Sequence, residues 1–189
     1  MSWWSMASEK LAVWVVVSFI VALVLSSCLS SPKSTLSHML GKRVAFPEEM
    51  IRLSHGKLTR ADSLKPDPNR RVVLFYFDEW MCSSCVILKL SRLREDASER
   101  LGMESFFLMA VPEDLSDAVA ETKIDTSLVV YLDADGTFAK RNRFIPKDSR
   151  FHVMLLDGDR TILAVGNPFS NARMMKLYKH LGREDSGRE

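Results

Sequence analysis

Cysteine is scarce in this chain, with three in 189 residues, at positions 28, 82 and 85. Blocks of basic residues, basic stretches interleaved with aromatics, internal repeats and heptad seams are all missing. The first two absences remove the electrostatic footprint of a nucleic-acid-binding protein. The last two remove repeat arrays and coiled coils. Charge is nearly balanced, 26 basic against 24 acidic residues for a formal +2. Arg70-Arg71 and Lys140-Arg141-Asn142-Arg143 therefore read as solvated loop charges. What is present is ordinary: 47% apolar and 26% charged residues exclude general disorder. The length suits one domain with short extensions.

One long uncharged run exists, LAVWVVVSFIVALVL over residues 11–25, preceded by Lys10. A basic residue before an apolar core is the pattern of a secretory signal. Leu25-Ser26-Ser27-Cys28 follows at once and resembles a bacterial lipobox, which implies lipidation of Cys28. The alternative is an uncleaved anchor, although fifteen apolar residues fall short of the ~20 that cross a hydrocarbon core. Residues 1–27 are thus expected to be a lipoprotein signal peptide or N-terminal membrane anchor. Either way the domain stands outside the cytoplasm, on the periplasmic side of a bacterial cell envelope. Residues 28–39, Ser-rich with a proline, are expected to be a tether, residues 40–182 the domain, and 183–189 a polar tail.

Signals are weak up to Leu64: Val44 and Phe46 suit a short strand, and His55-Gly56-Lys57 suits a hairpin turn. From position 72 they sharpen. VVLFYF, residues 72–77, is continuously apolar, β-branched and aromatic, as a strand buried on both faces requires. Beyond it Val86, Leu90, Leu93, Ala97 and Leu101 recur at helical spacing, with Lys89, Arg92, Glu95 and Asp96 opposite and Gly102 as the stop. Residues 106–111 and 128–132 read as further buried strands, 113–123 as an amphipathic helix, and 152–157 with 161–166 as a hairpin. Ser170 is placed to cap a last helix with Met174, Leu177, Tyr178 and Leu181 on one face and Gly182 beyond it. The order is strand, helix, strand, helix, strand, hairpin, helix.

With Cys28 lipidated, the exported domain keeps two cysteines, and they form Cys82-Ser83-Ser84-Cys85 between a buried strand and the helix after it. That context makes the spacing a redox signature. Free amides and the positive end of the helix dipole meet at a helix's first turn, where they favour thiolate over thiol. Cysteines so placed have pKa values of roughly 3.5–7.5 rather than ~8.5. Cys82, at the helix start, is the expected nucleophile toward a partner's disulfide. Cys85, one turn further in, is expected to resolve the mixed disulfide. Trp80 and Met81 would flank them as an apolar docking surface.

VVLFYFDEWMCSSC resembles the active-site strand and motif of the thioredoxin superfamily. With the tether, the Asp133-Ala134-Asp135-Gly136 strand end and the MLLDGDRTILAVG hairpin, the chain is most similar to TlpA-type membrane-anchored thioredoxin-like proteins of bacteria. The resemblance implies a three-layer α/β thioredoxin-like fold with a central mixed sheet and a C-terminal hairpin plus helix. It implies a thiol:disulfide oxidoreductase without organic cofactor or metal, whose partners are exported cysteine-containing proteins and a membrane electron donor or acceptor. The chain departs from the family pattern at three places. Met81 separates Trp80 from the first cysteine. The active-site strand carries no charged residue. The family's cis-proline position falls on Phe151, where a trans peptide is expected, because a non-proline cis bond costs about 3 kcal/mol. Arg150 and His152 flank that position. A guanidinium there would favour the Cys82 thiolate; the plainer reading is an Arg and a His on an exposed loop.

Rival chemistries are thinner. A structural Cys82–Cys85 disulfide closes too small a loop to restrict the unfolded chain much. Cys82, Cys85 and His152 make a sparse site for a soft cation such as Cu(I) in a copper-delivery protein. Peroxidase chemistry lacks the threonine and proline that accompany the peroxidatic cysteine in that family. A redox-inactive adaptor is left open by the missing proline. Asp133 to Gly136 imitates a calcium loop without its remaining ligands and reads as a turn. The ten methionines are scattered and read as adaptable packing.

Overall fold

The structure, a computed structural model, describes residues 32–62, 71–78, 83–111 and 128–183, and of residues 62 and 83–88 only the backbone. The chain divides into two compact units, Met1–Thr35 and Leu36–Glu189. The expected signal or anchor, Cys28 and the 113–123 helix lie outside the described residues. Among the described residues, no helix is long and apolar enough to cross a membrane.

The second unit is organised by β3, Val72–Phe77, whose six residues are all buried. Alternation sends Val73, Phe75 and Phe77 to one side of the sheet and Val72, Leu74 and Tyr76 to the other, each into its own core. This is why the run never alternates with polar residues. Around it lie β1 (Glu49–Ser54), β2 (Lys57–Asp62), β4 (Glu104–Ala110), β5 (Val129–Asp133), β6 (Val153–Leu156) and β7 (Ile162–Val165). Among the described residues they form one sheet of order β2-β1-β5-β4-β3-β6-β7. The β3–β4 and β4–β5 pairs are parallel, and the other pairs are antiparallel.

The β1–β2 connection is the His55-Gly56 turn, with φ of 54° and 68°. Positive φ at both central positions is the two-residue geometry that suits twisted strands, and it explains a glycine at the second. Val44 and Phe46 do not lie on a strand as expected. Backbone hydrogen bonds from this segment go to the β6–β7 turn, including Val44 N–H to the Arg160 carbonyl at 2.9 Å. Val44 and Phe46 are nonetheless buried, because their side chains enter the second core. Ahead of them α1, Pro32–Met39, ends in Met39, which is fully buried, while Leu36 packs on the same core. That turn falls within the stretch read as a tether.

One layer covers the first core: α2, Ser83–Glu95, which runs on into a π-helical turn, Asp96–Leu101, and α4, Ala172–Arg183. Leu90 and Ala97 are fully buried there, and Gly102, at φ 66°, returns its N–H to Ser98 O at 3.0 Å as the expected stop. Three details of α4 differ from expectation. Asn171, not Ser170, caps it, its Oδ1 accepting from Met174 N–H at 2.9 Å; Ser170 Oγ is engaged with Asn167 O. Leu177 is exposed while Tyr178 is fully buried, its hydroxyl donating to Gly166 O at 2.9 Å. Gly182 lies inside the helix rather than beyond it, where an added Cβ would come within 2.3 Å of the Met103 methyl carbon. Close approach, not termination, explains that glycine.

On the other face sits a short helix, α3, Thr137–Arg141, which periodicity did not reveal. Asn142 follows it and is 1% exposed. Its Nδ2 donates to Ala45 O at 2.7 Å and Phe138 O at 2.8 Å, and its Oδ1 accepts from Ala45 N–H at 2.8 Å. One amide thereby closes the end of α3 and fastens the 43–46 crossing. Asn142→Ala should cost about 2–4 kcal/mol in urea unfolding, since several buried backbone groups lose their partner at once. A loss below about 0.5 kcal/mol would show that this amide is not needed.

Candidate functional site

Parallel strands β3, β4 and β5 end together, at Phe77, Ala110 and Asp133. Asp78 follows β3 at that edge, and Ser83 is the first residue of α2. In the sequence the Cys82-to-Cys85 motif falls between the buried β3 and the opening residues of α2. Cys85 is the third residue of α2, with its backbone described and its side chain not. Trp80, Met81 and Cys82 lie outside the described residues. A first-turn backbone at Ser83–Cys85 leaves amide donors without intrahelical partners, which is the local condition that stabilises a thiolate.

The second wall is set by β6, whose start abuts the end of β3. Val153 pairs with Phe75, and Tyr76 N–H donates to His152 O at 2.9 Å. The loop carrying Arg150, Phe151 and His152 is thus held beside the end of β3. Phe151 closes a single 3₁₀ turn, Ser149–Phe151, and packs partly buried on the second core. No cis peptide occurs among the described residues, so the bond before Phe151 is trans.

Arg150 points its charge elsewhere than toward a partnerless anion. Its Nε lies 3.1 and 2.9 Å from the two Asp148 carboxylate oxygens and its Nη2 2.6 Å from Oδ2, while its own N–H caps back onto Oδ1 at 3.0 Å. These side-chain bonds first, and the backbone bond second, hold the Asp148 carboxyl below its ordinary range. The pair is exposed, so this is local order rather than a large stability term. Its favourable contribution is present above the ordinary carboxylate range and is lost as acid protonates Asp148.

His152 is not on an exposed loop: it is 2% exposed. Its Nε2 lies 2.8 Å from Pro146 O, and its Nδ1 lies 3.9 Å from Asp78 Oδ2. Asp78 directly follows β3, and sequence reading gave it no role in the site. The only cue was a carboxylate directly after six apolar positions. With Nε2 hydrogen-bonded, one ring nitrogen is left for any ligand, and it faces a carboxylate.

At the same edge, on the side of the second core, a cavity of about 460 Å³ opens between Tyr76, Asp78, Val111, Asp133, Phe138 and Pro146. Asp133 is buried, and its carboxylate accepts Thr137 N–H at 2.9 Å and Phe138 N–H at 2.8 Å. Burial pushes its pKa up, against the pull of those two bonds. The Ala134-Asp135 segment is the expected turn, and the Asp133 oxygens serve the amides at the start of α3.

No protein-family model and no curated protein matches this chain in sequence. Solved structures do match. The reduced 2-Cys peroxiredoxin of Plasmodium vivax superposes with a TM-score of 0.55 at 11% identity, covering 79% of this chain and 84% of that one. AhpC of Enterococcus faecalis superposes at 0.53 and 13%, covering 79% and 95%. The fold is thioredoxin-like. In this thioredoxin-like domain Asp78, His152 and the Arg150–Asp148 pair are grouped near the end of β3.

Arg150→Ala should return the Asp148 carboxyl to its ordinary titration range, read by NMR, and leave the rate of Cys82 alkylation at neutral pH unchanged. A slower alkylation in that variant would mean that the guanidinium acts on the thiol after all.

Proposed function

We propose that this protein is a thiol–disulfide oxidoreductase that works through Cys82 and Cys85 on cysteine-containing exported proteins. The observation that supports this most is the position of Cys-x-x-C, between the doubly buried β3 and the first turn of α2 of a thioredoxin-like domain. The strand that precedes the motif is packed on both faces. The helix supplies unpaired amides to the anion.

In the reducing direction the Cys82 thiolate attacks one sulfur of a partner's disulfide. That S–S bond breaks, a Cys82–partner disulfide forms, and the other partner sulfur leaves as a thiolate that takes up a proton. Cys85 loses its proton and attacks the Cys82 sulfur, which releases the second partner thiol. The protein ends with a Cys82–Cys85 disulfide and the partner with two thiols, a transfer of two electrons. Run backwards, the same steps oxidise a partner. A membrane electron donor or acceptor restores the starting state, and no organic cofactor is required. Tethering through Cys28, or by an uncleaved 1–27 anchor, would keep the domain at the outer side of the membrane.

Phe151 in place of the family's proline, with a trans bond before it, changes the surface against which a substrate backbone would lie. Arg150, Trp80 and Met81 would border that surface, and substrate choice is expected to depend on it.

Cys85→Ser should accumulate mixed disulfides with envelope proteins that disappear on adding reductant, and Cys82→Ser should accumulate none. Absence of adducts through Cys82 under both reducing and oxidising conditions would instead favour a binding adaptor. Cys28→Ser should release the protein from membranes if lipid is the anchor, as measured by fractionation; retention would favour the uncleaved helix.

A further inference from the structure

α4 carries Arg173, Lys176, Lys179, His180 and Arg183 and no acidic residue. Arg173, Lys176, Lys179 and Arg183 follow one another by three or four residues along its outward face, and all four are exposed. Tyr178 is buried on the opposite side with its hydroxyl on Gly166 O, so packing fixes which face the cations occupy. The array works against the helix that bears it. Like charges three or four residues apart repel. Arg173, in the first turn, stands at the positive end of the helix dipole. Helix stability therefore does not account for these residues.

Three exposed arginines elsewhere in the domain meet carboxylates: Arg100 with Asp96 at 3.0 Å, Arg141 with Glu48 at 3.0 Å and Arg150 with Asp148 at 2.6 Å. Arg173, Lys176, Lys179 and Arg183 have no ion pair among the described residues. The adjoining part of the layer adds to the excess. On α2 and its π-helical extension Lys89, Arg92, Arg94 and Arg100 stand against Glu95, Asp96 and Glu99. At the margin of the charged stripe, one turn after Arg173, Leu177 is 41% exposed.

We propose that this face of α4 docks on an anionic lipid surface, with the four cations among the headgroup phosphates and Leu177 at the acyl boundary. Charge complementarity is the first argument. A bilayer of anionic lipid presents diffuse negative charge, which a row of long cationic side chains can follow without a matched set of carboxylates. The second is Leu177, because Lys and Arg keep their charge in the headgroup layer while an apolar neighbour enters beneath it. The third is reach. From Cys28 to Leu36 the chain spans at most about 29 Å, so the anchor proposed above would keep the start of the domain within that distance of a bilayer. The choice of a bilayer rests on that anchoring; the charge of the face does not, and neither depends on the dithiol reading.

The test reads acylation of individual lysines by mass spectrometry on the full chain added to vesicles. These are phosphatidylcholine alone, or phosphatidylcholine with about one third phosphatidylglycerol. Rates at Lys176 and Lys179 are taken relative to Lys57, which is exposed on β2, at the sheet edge opposite β7, the strand on which α4 packs. Anionic vesicles should lower both ratios about fivefold. Salt at about 0.5 M should restore them, because it shortens the reach of charge. Arg173→Gln combined with Arg183→Gln leaves both reporter lysines in place and should remove at least about half of the protection.

Unchanged ratios, protection that salt does not reverse, or full protection in the double variant would each overturn the inference. Protection in native envelope membranes that anionic vesicles do not reproduce would also overturn it, and would give the face to an acidic protein surface. Flotation reads the anchor separately. A chain that floats only with anionic vesicles, and leaves them in salt, keeps the docking face and sinks the anchor. A chain that floats with both kinds at any salt and shows no lysine protection keeps the anchor and sinks the face.

Discussion

Burial of β3 on both faces is the constraint from which the rest follows. Six consecutive buried residues demand a layer on each side, since a strand with neither face wet cannot sit in a one-sided sheet. The layers are α2 with α4 on one face, and α3 with the 43–46 crossing on the other. Parallel pairing with β4 requires a long crossover, which α2 and its π-helical extension supply. The end of β3 is consequently held from both sides, and α2 begins six residues after it, at Ser83.

Rigid strand ends are where chemistry collects in open α/β sheets, because loops leaving neighbouring parallel strands converge there. In this domain β3, β4 and β5 bring Asp78, Val111 and Asp133 to one edge, and antiparallel β6 delivers the 148–152 loop from the other side. The dithiol motif stands in the same passage by its place in the chain. The thioredoxin-like likeness speaks to architecture; the chemistry rests on the cysteines and their surroundings.

Most buried polar groups in this region have partners that fully explain them. Asn142 ties two segments, Asp133 receives two amides, and Tyr178 bonds the Gly166 carbonyl. His152 Nδ1 breaks that rule. Buried polar atoms without partners are uncommon in folded proteins, and this one lies against the residue that directly follows the central strand.

The central strand, the helix after the motif with its Gly102 stop, the His55-Gly56 hairpin and the β6–β7 hairpin were legible in the residues. Each rests on local rules: continuous apolar runs, helical periodicity and turns that need positive φ. The Cys82-x-x-Cys85 spacing is likewise a local pattern, contiguous in sequence. What the residues alone left open is set by partners distant in the chain. Val44 and Phe46 are buried without being on a strand because Val44 N–H bonds the Arg160 carbonyl and both side chains enter the second core, and Gly182 is dictated by Met103. The pairing of Arg150 with Asp148, two residues away, was not read from the residues. His152 could be read as a loop residue until the Pro146 carbonyl and Asp78, 74 residues earlier, closed around it. Sequence determines what a segment tends to form; the fold alone decides which charges meet and which nitrogen is left without a proton donor.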